Sequence, residues 1–125
     1  MMNSNCIFCK EESPLIKNEL VYAIFDKFPV SKLHALIIPK RHVETFFELT
    51  PSEKNSCLDL LDQVKEKLVQ MDGTITGFNV GINIGKDAGQ TIMHCHIHLI
   101  PRREGDVTEP QGGIRNVIPG KGRID

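Results

Sequence analysis

The chain has 125 residues, with 15 lysines and arginines against 16 aspartates and glutamates and a formal net charge of −1. That length suits one hydrophobic core and leaves no room for a second catalytic module, and so small a charge imbalance argues against polymeric nucleic acid as a partner. The longest apolar runs, residues 35–39 and 97–101, are strand-sized, and no basic segment followed by an apolar one opens the chain, so neither a membrane span nor a secretion signal is expected.

In chain order, the first feature is Cys6-Ile7-Phe8-Cys9. Without a secretion signal, two cysteines at this spacing read as a metal half-site or a redox pair in a reducing cytoplasm rather than as a structural disulfide. Residues 19–26 (ELVYAIFD) and 33–38 (LHALII) are short and rich in β-formers, and the segment between them carries Pro29; they predict two strands. Thr50-Pro51-Ser52-Glu53 places a capping threonine, a proline at the first helical position and a glutamate three residues after the cap. A helix over residues 51–71 should follow, with Cys57, Leu61, Val64, Leu68 and Met71 on its apolar stripe and Asp72-Gly73 as its stop. Residues 77–84 (GFNVGINI) alternate as a strand with one buried face, residues 85–89 (GKDAG) form a polar turn, and residues 91–101 extend as the second arm of a hairpin. Over residues 103–125 apolar residues thin out while Gly and Pro rise, which predicts an irregular tail held by docking. The expected fold class is α+β, an antiparallel sheet of about five strands with one main helix, as a single domain over residues 1–125.

The chemistry concentrates in Gln90-Thr91-Ile92-Met93-His94-Cys95-His96-Ile97-His98-Leu99, which holds three of the five histidines. In extended chain, His94, His96 and His98 share one face while Cys95, Ile97 and Leu99 share the other. At a rise of about 3.3 Å per residue, His94 and His98 stand about 13 Å apart, so one metal ion cannot hold all three. Imidazoles suit phosphate chemistry: a neutral ring attacks phosphorus, and a neighbour stabilises charge or protonates a leaving group. His96, flanked on both sides, is the natural nucleophile. The amides of Gly89, Gln90 and Thr91, with the Thr91 hydroxyl, are candidates to cradle non-bridging phosphate oxygens.

The run HCHIHLIPR preceded by GQT resembles the signature of the histidine triad family, and YAIFDKFPVSKLHALIIPKRH is similar to that family's N-terminal half, so the resemblance covers most of residues 6–102. It implies a homodimer with its sheet continued across subunits and a nucleotide α-phosphate held against the histidine row. It also implies a two-step reaction in which His96 forms a nucleotidyl intermediate, His98 contacts the phosphate and assists the leaving group, and water then releases the nucleotide. By the same resemblance Asp26 matches a position that binds ribose hydroxyls, and Asn83, Gln90 and Thr91 match positions around the phosphates. The chain departs from the family at Leu33, where glycine is usual before the first histidine. His34 itself reads as a core histidine making a hydrogen bond, outside the catalytic set.

Cys6 and Cys9 need two more ligands to close a tetrahedral site. His42 and His94 complete a Cys₂His₂ set, and some histidine triad proteins with an N-terminal Cys-x-x-Cys resemble this chain and carry zinc in that way. Such zinc is structural, tying the N-terminus to the sheet; reduced thiols without metal, or a redox couple, are the competing readings. Cys57 and Cys95 read as core. Arg102, Arg103, Arg115 and Lys121 are either contacts for a polyphosphate leaving group or solvated charges.

The expected function is therefore a hydrolase or transferase acting at the α-phosphate of a dinucleoside polyphosphate or a nucleoside phosphoramidate. The alternatives are a purine-nucleotide-binding regulatory protein without physiological catalysis and a zinc-water hydrolase, the latter disfavoured by the cysteine ligands.

Overall fold

The structure is a computed structural model and describes residues 5–124. Five strands, β1 (Ile16–Lys17), β2 (Val21–Phe25), β3 (Ala35–Pro39), β4 (Ile75–Gly81) and β5 (Ile97–Arg103), form one sheet in the order β1-β2-β3-β5-β4, and every neighbouring pair is antiparallel. Among the described residues a single α-helix, α1 (Pro51–Met71), packs on one face. The expected α+β class and strand number are both found. Among the described residues, no helix is long and apolar enough to cross a membrane.

Alternation sorts the side chains. Val21, Ala23, Ala35, Ile37, Ile97 and Leu99 turn toward α1 and bury with Cys57, Leu60, Val64 and Leu68. Tyr22, Leu36 and Ile38 turn to the opposite face and form a second apolar cluster with Phe8. That second face carries His98, so the sheet separates a helix-covered core from the face that holds the chemistry.

α1 has the predicted limits. Thr50 accepts the Glu53 amide while the Glu53 carboxylate accepts the Thr50 amide, and Glu53 also takes both Nε and an Nη of Arg41 at 3.0 and 2.8 Å. The stripe differs from the sequence reading: Leu60 sits at its centre, Leu61 lies at its margin and Met71 is exposed, because the sheet covers only the first five turns.

Three further differences stand out. β1 was not expected; its two residues pair with Ala23 and Tyr22 only once β2 is in place. β4 runs Ile75–Gly81 against the predicted 77–84, and Val80, expected on its buried face, is exposed, because β4 is an edge strand paired only with β5. β5 begins at Ile97, so residues 91–96 form an irregular stretch and His94 and His96 stand outside the ladder. Their alternation with Cys95 persists because the Cys95 amide donates to the Val43 carbonyl at 2.7 Å and its side chain enters the core.

The turn after Phe25 fixes the site's rim. Asp26 accepts the Phe28 amide, Ser31 donates its hydroxyl to the Pro101 carbonyl, and the His34 amide returns to the Ser31 carbonyl. This geometry requires a left-handed residue before His34, and Leu33 adopts it, with φ of 72°. The backbone that glycine would supply is kept without glycine. The tail forms a short 3-10 turn at Gly113–Val117 against β4, where Ile114 lies near Gly81.

Candidate active site and metal centre

His96 is almost fully buried, and its Nδ1 lies 2.8 Å from the His94 carbonyl. A carbonyl only accepts, so His96 carries its proton on Nδ1 and presents a bare lone pair at Nε2. His98 is fixed by a longer chain. The Val30 amide donates to His34 Nδ1 at 3.1 Å, which leaves the His34 proton on Nε2; that N–H donates to His98 Nδ1 at 2.9 Å. His98 therefore keeps its own proton on Nε2, as a donor beside the His96 ring, the two centroids being 5.1 Å apart. Burial, followed by the neighbouring His96 and His34, lowers the His98 pKa to about 4. Burial also lowers that of His34, opposed by Asp26, whose Oδ2 is 3.6 Å from His34 Nε2. His98 is therefore neutral at pH 7 and offers its Nε2 proton beside the Nε2 edge of His96.

His34 is the residue sequence reasoning left out. It is a buried histidine making a hydrogen bond, as expected, but the bond runs to His98. Asp26, His34 and His98 also lie within reach of a single cation. With its Nδ1 receiving Val30 and its proton on Nε2, His34 has no lone pair left to ligate one, so Val30, His34 and His98 form a hydrogen-bond chain with the Asp26 carboxylate beside it.

A cleft of about 280 Å³ opens on this pair, lined by Asp26, His34, Asn83, Gly89, Thr91, His96 and His98 with Phe8, Phe28 and Ile92 among its apolar walls. A second cavity of about 210 Å³ adjoins it, sharing Asp26 and Phe8 and adding Ile7, Tyr22 and Ile24. The structure thus brings Asp26, Asn83, Gly89, Thr91, His96 and His98 together. It does not bring the Gln90 side chain there: Gln90 is buried, accepts the Gly85 amide and donates to the carbonyls of Glu44 and Ile92. The amides of Gly89 and Gln90 close the 85–90 turn on the carbonyls of Lys86 and Gly85, a turn that needs positive φ at Gly85 and Gly89. Of the expected cradle, Thr91 is the part not committed to that turn. Arg102 is held by Asp106 and Asn79 and so ties the tail to β4, while Arg103 is held by Asp72, Thr74 and the Lys32 carbonyl and ties the end of β5 to the α1–β4 turn. Arg115 donates to the Gly122 carbonyl within the tail.

The sulfurs of Cys6 and Cys9 and the Nδ1 atoms of His42 and His94 gather on the other side of Phe8. Cys6 Sγ and Cys9 Sγ lie 3.4 and 3.6 Å from His94 Nδ1, Cys9 Sγ lies 3.3 Å from His42 Nδ1, and the two Nδ1 atoms are 3.2 Å apart. Bond lengths of about 2.0–2.1 Å to nitrogen and about 2.3 Å to sulfur give a tetrahedron with N···N edges near ~3.3 Å and N···S edges near ~3.6 Å. The donor set fits zinc. His94 is prepared for it, because its Nε2–H donates to the Pro39 carbonyl at 2.7 Å and leaves Nδ1 free to ligate. All four cysteines are free of disulfides.

An antiparallel five-stranded sheet with one helix, carrying alternating histidines over a small cleft, defines a histidine triad protein. A HIT domain model matches residues 10–105, and the chain belongs to the HIT family. It is 38% identical over 111 residues to adenylylsulfatase HINT3 of Arabidopsis thaliana, covering 84% of this chain and 56% of that protein. It is 34% identical over 93 residues to the asymmetrical bis(5'-nucleosyl)-tetraphosphatase of Schizosaccharomyces pombe, covering 74% and 50%. The chain thus spans about half the length of these two relatives. Among solved structures, a HIT family protein from Bacillus anthracis superposes with a TM-score of 0.75 at 35% identity, covering 85% of this chain and 82% of that one.

Proposed function

We propose that this protein is a nucleotidyl hydrolase or transferase acting as a single histidine triad domain, with His96 Nε2 as nucleophile. The observation that carries the reading is the bond from His96 Nδ1–H to the His94 carbonyl, which aims a lone pair into the cleft beside a neutral His98 donor. The names of two relatives, an adenylylsulfatase and a bis(5'-nucleosyl)-tetraphosphatase, support a nucleotidyl substrate.

The nucleoside lies in the apolar cavity walled by Ile7, Phe8 and Ile24, with Asp26 accepting from the ribose hydroxyls and Asn83, Gly89 and Thr91 around the α-phosphate. The Gln90 side chain serves this group from behind, by holding the turn. His96 Nε2 forms a bond to the α-phosphorus as the bond to the leaving oxygen or nitrogen breaks and its electron pair departs with the leaving group. The resulting cationic ring keeps its Nδ1–H on the His94 carbonyl, which stabilises the charge. His98 Nε2–H hydrogen-bonds to the leaving group and keeps its proton; a phosphate oxygen departs as the anion, whereas a leaving nitrogen takes up a proton from solvent as its bond breaks. Water then bonds to phosphorus, the bond to His96 breaks, and the water's proton leaves with the products.

Zinc at Cys6, Cys9, His42 and His94 would tie the N-terminal turn to the sheet and plays no part in bond cleavage. A cytoplasmic setting keeps both thiols reduced. The open edge of β4 and the exposed Val80 support a homodimer built by continuing the sheet.

The test is a quench within milliseconds to seconds after mixing with diadenosine tetraphosphate or adenosine phosphoramidate, followed by intact mass. An acid-labile adenylyl adduct on His96 that turns over at a competent rate, and is lost in His96→Ala, is expected. Hydrolysis that persists in His96→Ala without an adduct overturns the nucleophile. Binding without turnover of either compound would leave a nucleotide-binding regulatory protein.

A further inference from the structure

Phe8 stands between the two candidate sites and belongs to both. It lies inside the Cys6–Cys9 turn, and its ring meets His96 edge-on with centroids 5.0 Å apart and His94 at 6.1 Å. It also lines both the histidine cleft and the adjoining apolar cavity, which Ile7 of the same turn helps to wall. The turn is a three-residue 3-10 segment, Ile7–Cys9, with no side-chain cap. Its attachments to the sheet include the Tyr22 hydroxyl on the Phe8 carbonyl, the Phe8 ring itself, and the two thiols facing His42 and His94. His94 makes a second link, since its imidazole faces the thiols while its carbonyl holds His96 Nδ1–H.

We propose that metal binding at Cys6, Cys9, His42 and His94 and nucleotide binding in the cleft are positively coupled, with Phe8 the positioning residue that carries the coupling. The inference rests on the nucleotide and zinc readings above. Metal ligation draws the turn onto the sheet and so sets one wall of the nucleoside cavity and one side of the nucleophile before the ligand arrives. A nucleotide that meets the stripped protein must order that wall itself and binds more weakly. Linkage makes the effect reciprocal: bound nucleotide raises the metal affinity by the same factor. A coupling of about tenfold is within the usual range for two sites sharing an ordered element.

The experiment uses the full chain, with AMP and zinc as probes. AMP affinity is measured by calorimetry in zinc-loaded and chelator-stripped protein, and zinc affinity by competition with a chromophoric chelator, with and without saturating AMP. About tenfold weaker AMP binding after stripping is expected, with an equal gain in zinc affinity when AMP is present. In Phe8→Ala both ratios should fall toward one while zinc still binds. Equal AMP affinity in loaded and stripped protein, both folded by circular dichroism, overturns the coupling and leaves the two site readings standing. AMP that binds neither form overturns the nucleotide reading and the coupling with it; zinc that does not bind overturns the metal reading and the coupling. Should stripping unfold the chain, Phe8→Ala decides: an AMP-induced gain in zinc affinity as large as in the unsubstituted protein rules Phe8 out as its carrier.

Discussion

His34 and Leu33 sit next to each other and do opposite kinds of work. His34 holds the tautomer of His98 through Nε2, and removing it leaves His98 free to place its proton on either nitrogen. In the proposed reaction, His34→Ala is expected to lower kcat roughly 10- to 100-fold, the size of effect seen when an orienting partner is lost, with KM much less affected. His34→Gln, whose amide can still donate, should recover part of that loss; steady-state kinetics on both variants, with thermal melts to confirm folding, decide it. A drop confined to stability would show a merely structural role. Leu33 keeps a left-handed backbone at φ 72° and also packs against the core. Leu33→Gly relieves the backbone and loses the packing, two terms of about 1 kcal/mol each that oppose one another. Leu33→Val keeps much of the apolar contact but puts a β-branched side chain in a conformation it strongly disfavours, so a loss of about 2 kcal/mol is expected in urea denaturation.

At the level of the element, α1 is the part whose start was most legible, because its signals are local. A cap, a proline and a glutamate lie within four residues, and the bonds they make join neighbours in sequence. What sequence did not show is that Glu53 also binds Arg41, a residue brought close only by the end of β3. That guanidinium, and then the Thr50 amide, hold the Glu53 carboxyl down to about 2 from an ordinary 4.5, although burial opposes it. A depressed carboxylate favours the fold above its unfolded pKa, and that contribution is lost as pH falls from about 4.5 toward 2. Thr50→Ala should cost about 1 kcal/mol at neutral pH, and Glu53→Gln more, about 2 kcal/mol, since it weakens a charge-assisted pair as well as the cap. Denaturation midpoints at pH 7 and pH 2.5 check the sign: the gap between Glu53→Gln and the unsubstituted chain should narrow in acid. β5 is the counterexample. Its histidine alternation is visible in sequence, yet the ladder starts only at Ile97, because strand limits depend on where partners lie.

Across the whole molecule, the sheet order decides what meets what. β5 inserts between β3 and β4, so Leu36 pairs with His98 and His34 comes beside the triad from 64 residues away. The same closure divides the cysteines. Cys57 and Cys95 lie in the helix-side core, where burial pushes their thiols up to about 11 and 12, while Cys6 and Cys9 face His42 and His94. In folded, chelator-stripped protein an aromatic disulfide reagent should titrate Cys6 and Cys9 ahead of Cys57 and Cys95, which respond on unfolding; zinc should protect the first pair. Equal reactivity of all four thiols would overturn that division. By itself, the sequence determined the fold class, the limits of α1, the shared face of His94, His96 and His98, and the candidate metal ligands, because periodicity, capping and ligand chemistry are carried by residue type and short spacing. Only the tertiary structure decided that His34 serves His98, that Gln90 turns inward, that Arg102 holds the tail while Arg103 holds the α1–β4 turn, and that Phe8 joins the two candidate sites. Each of these depends on strand pairing between distant segments and on which way a buried polar group must turn to find its hydrogen-bond partner, and neither is written in local sequence.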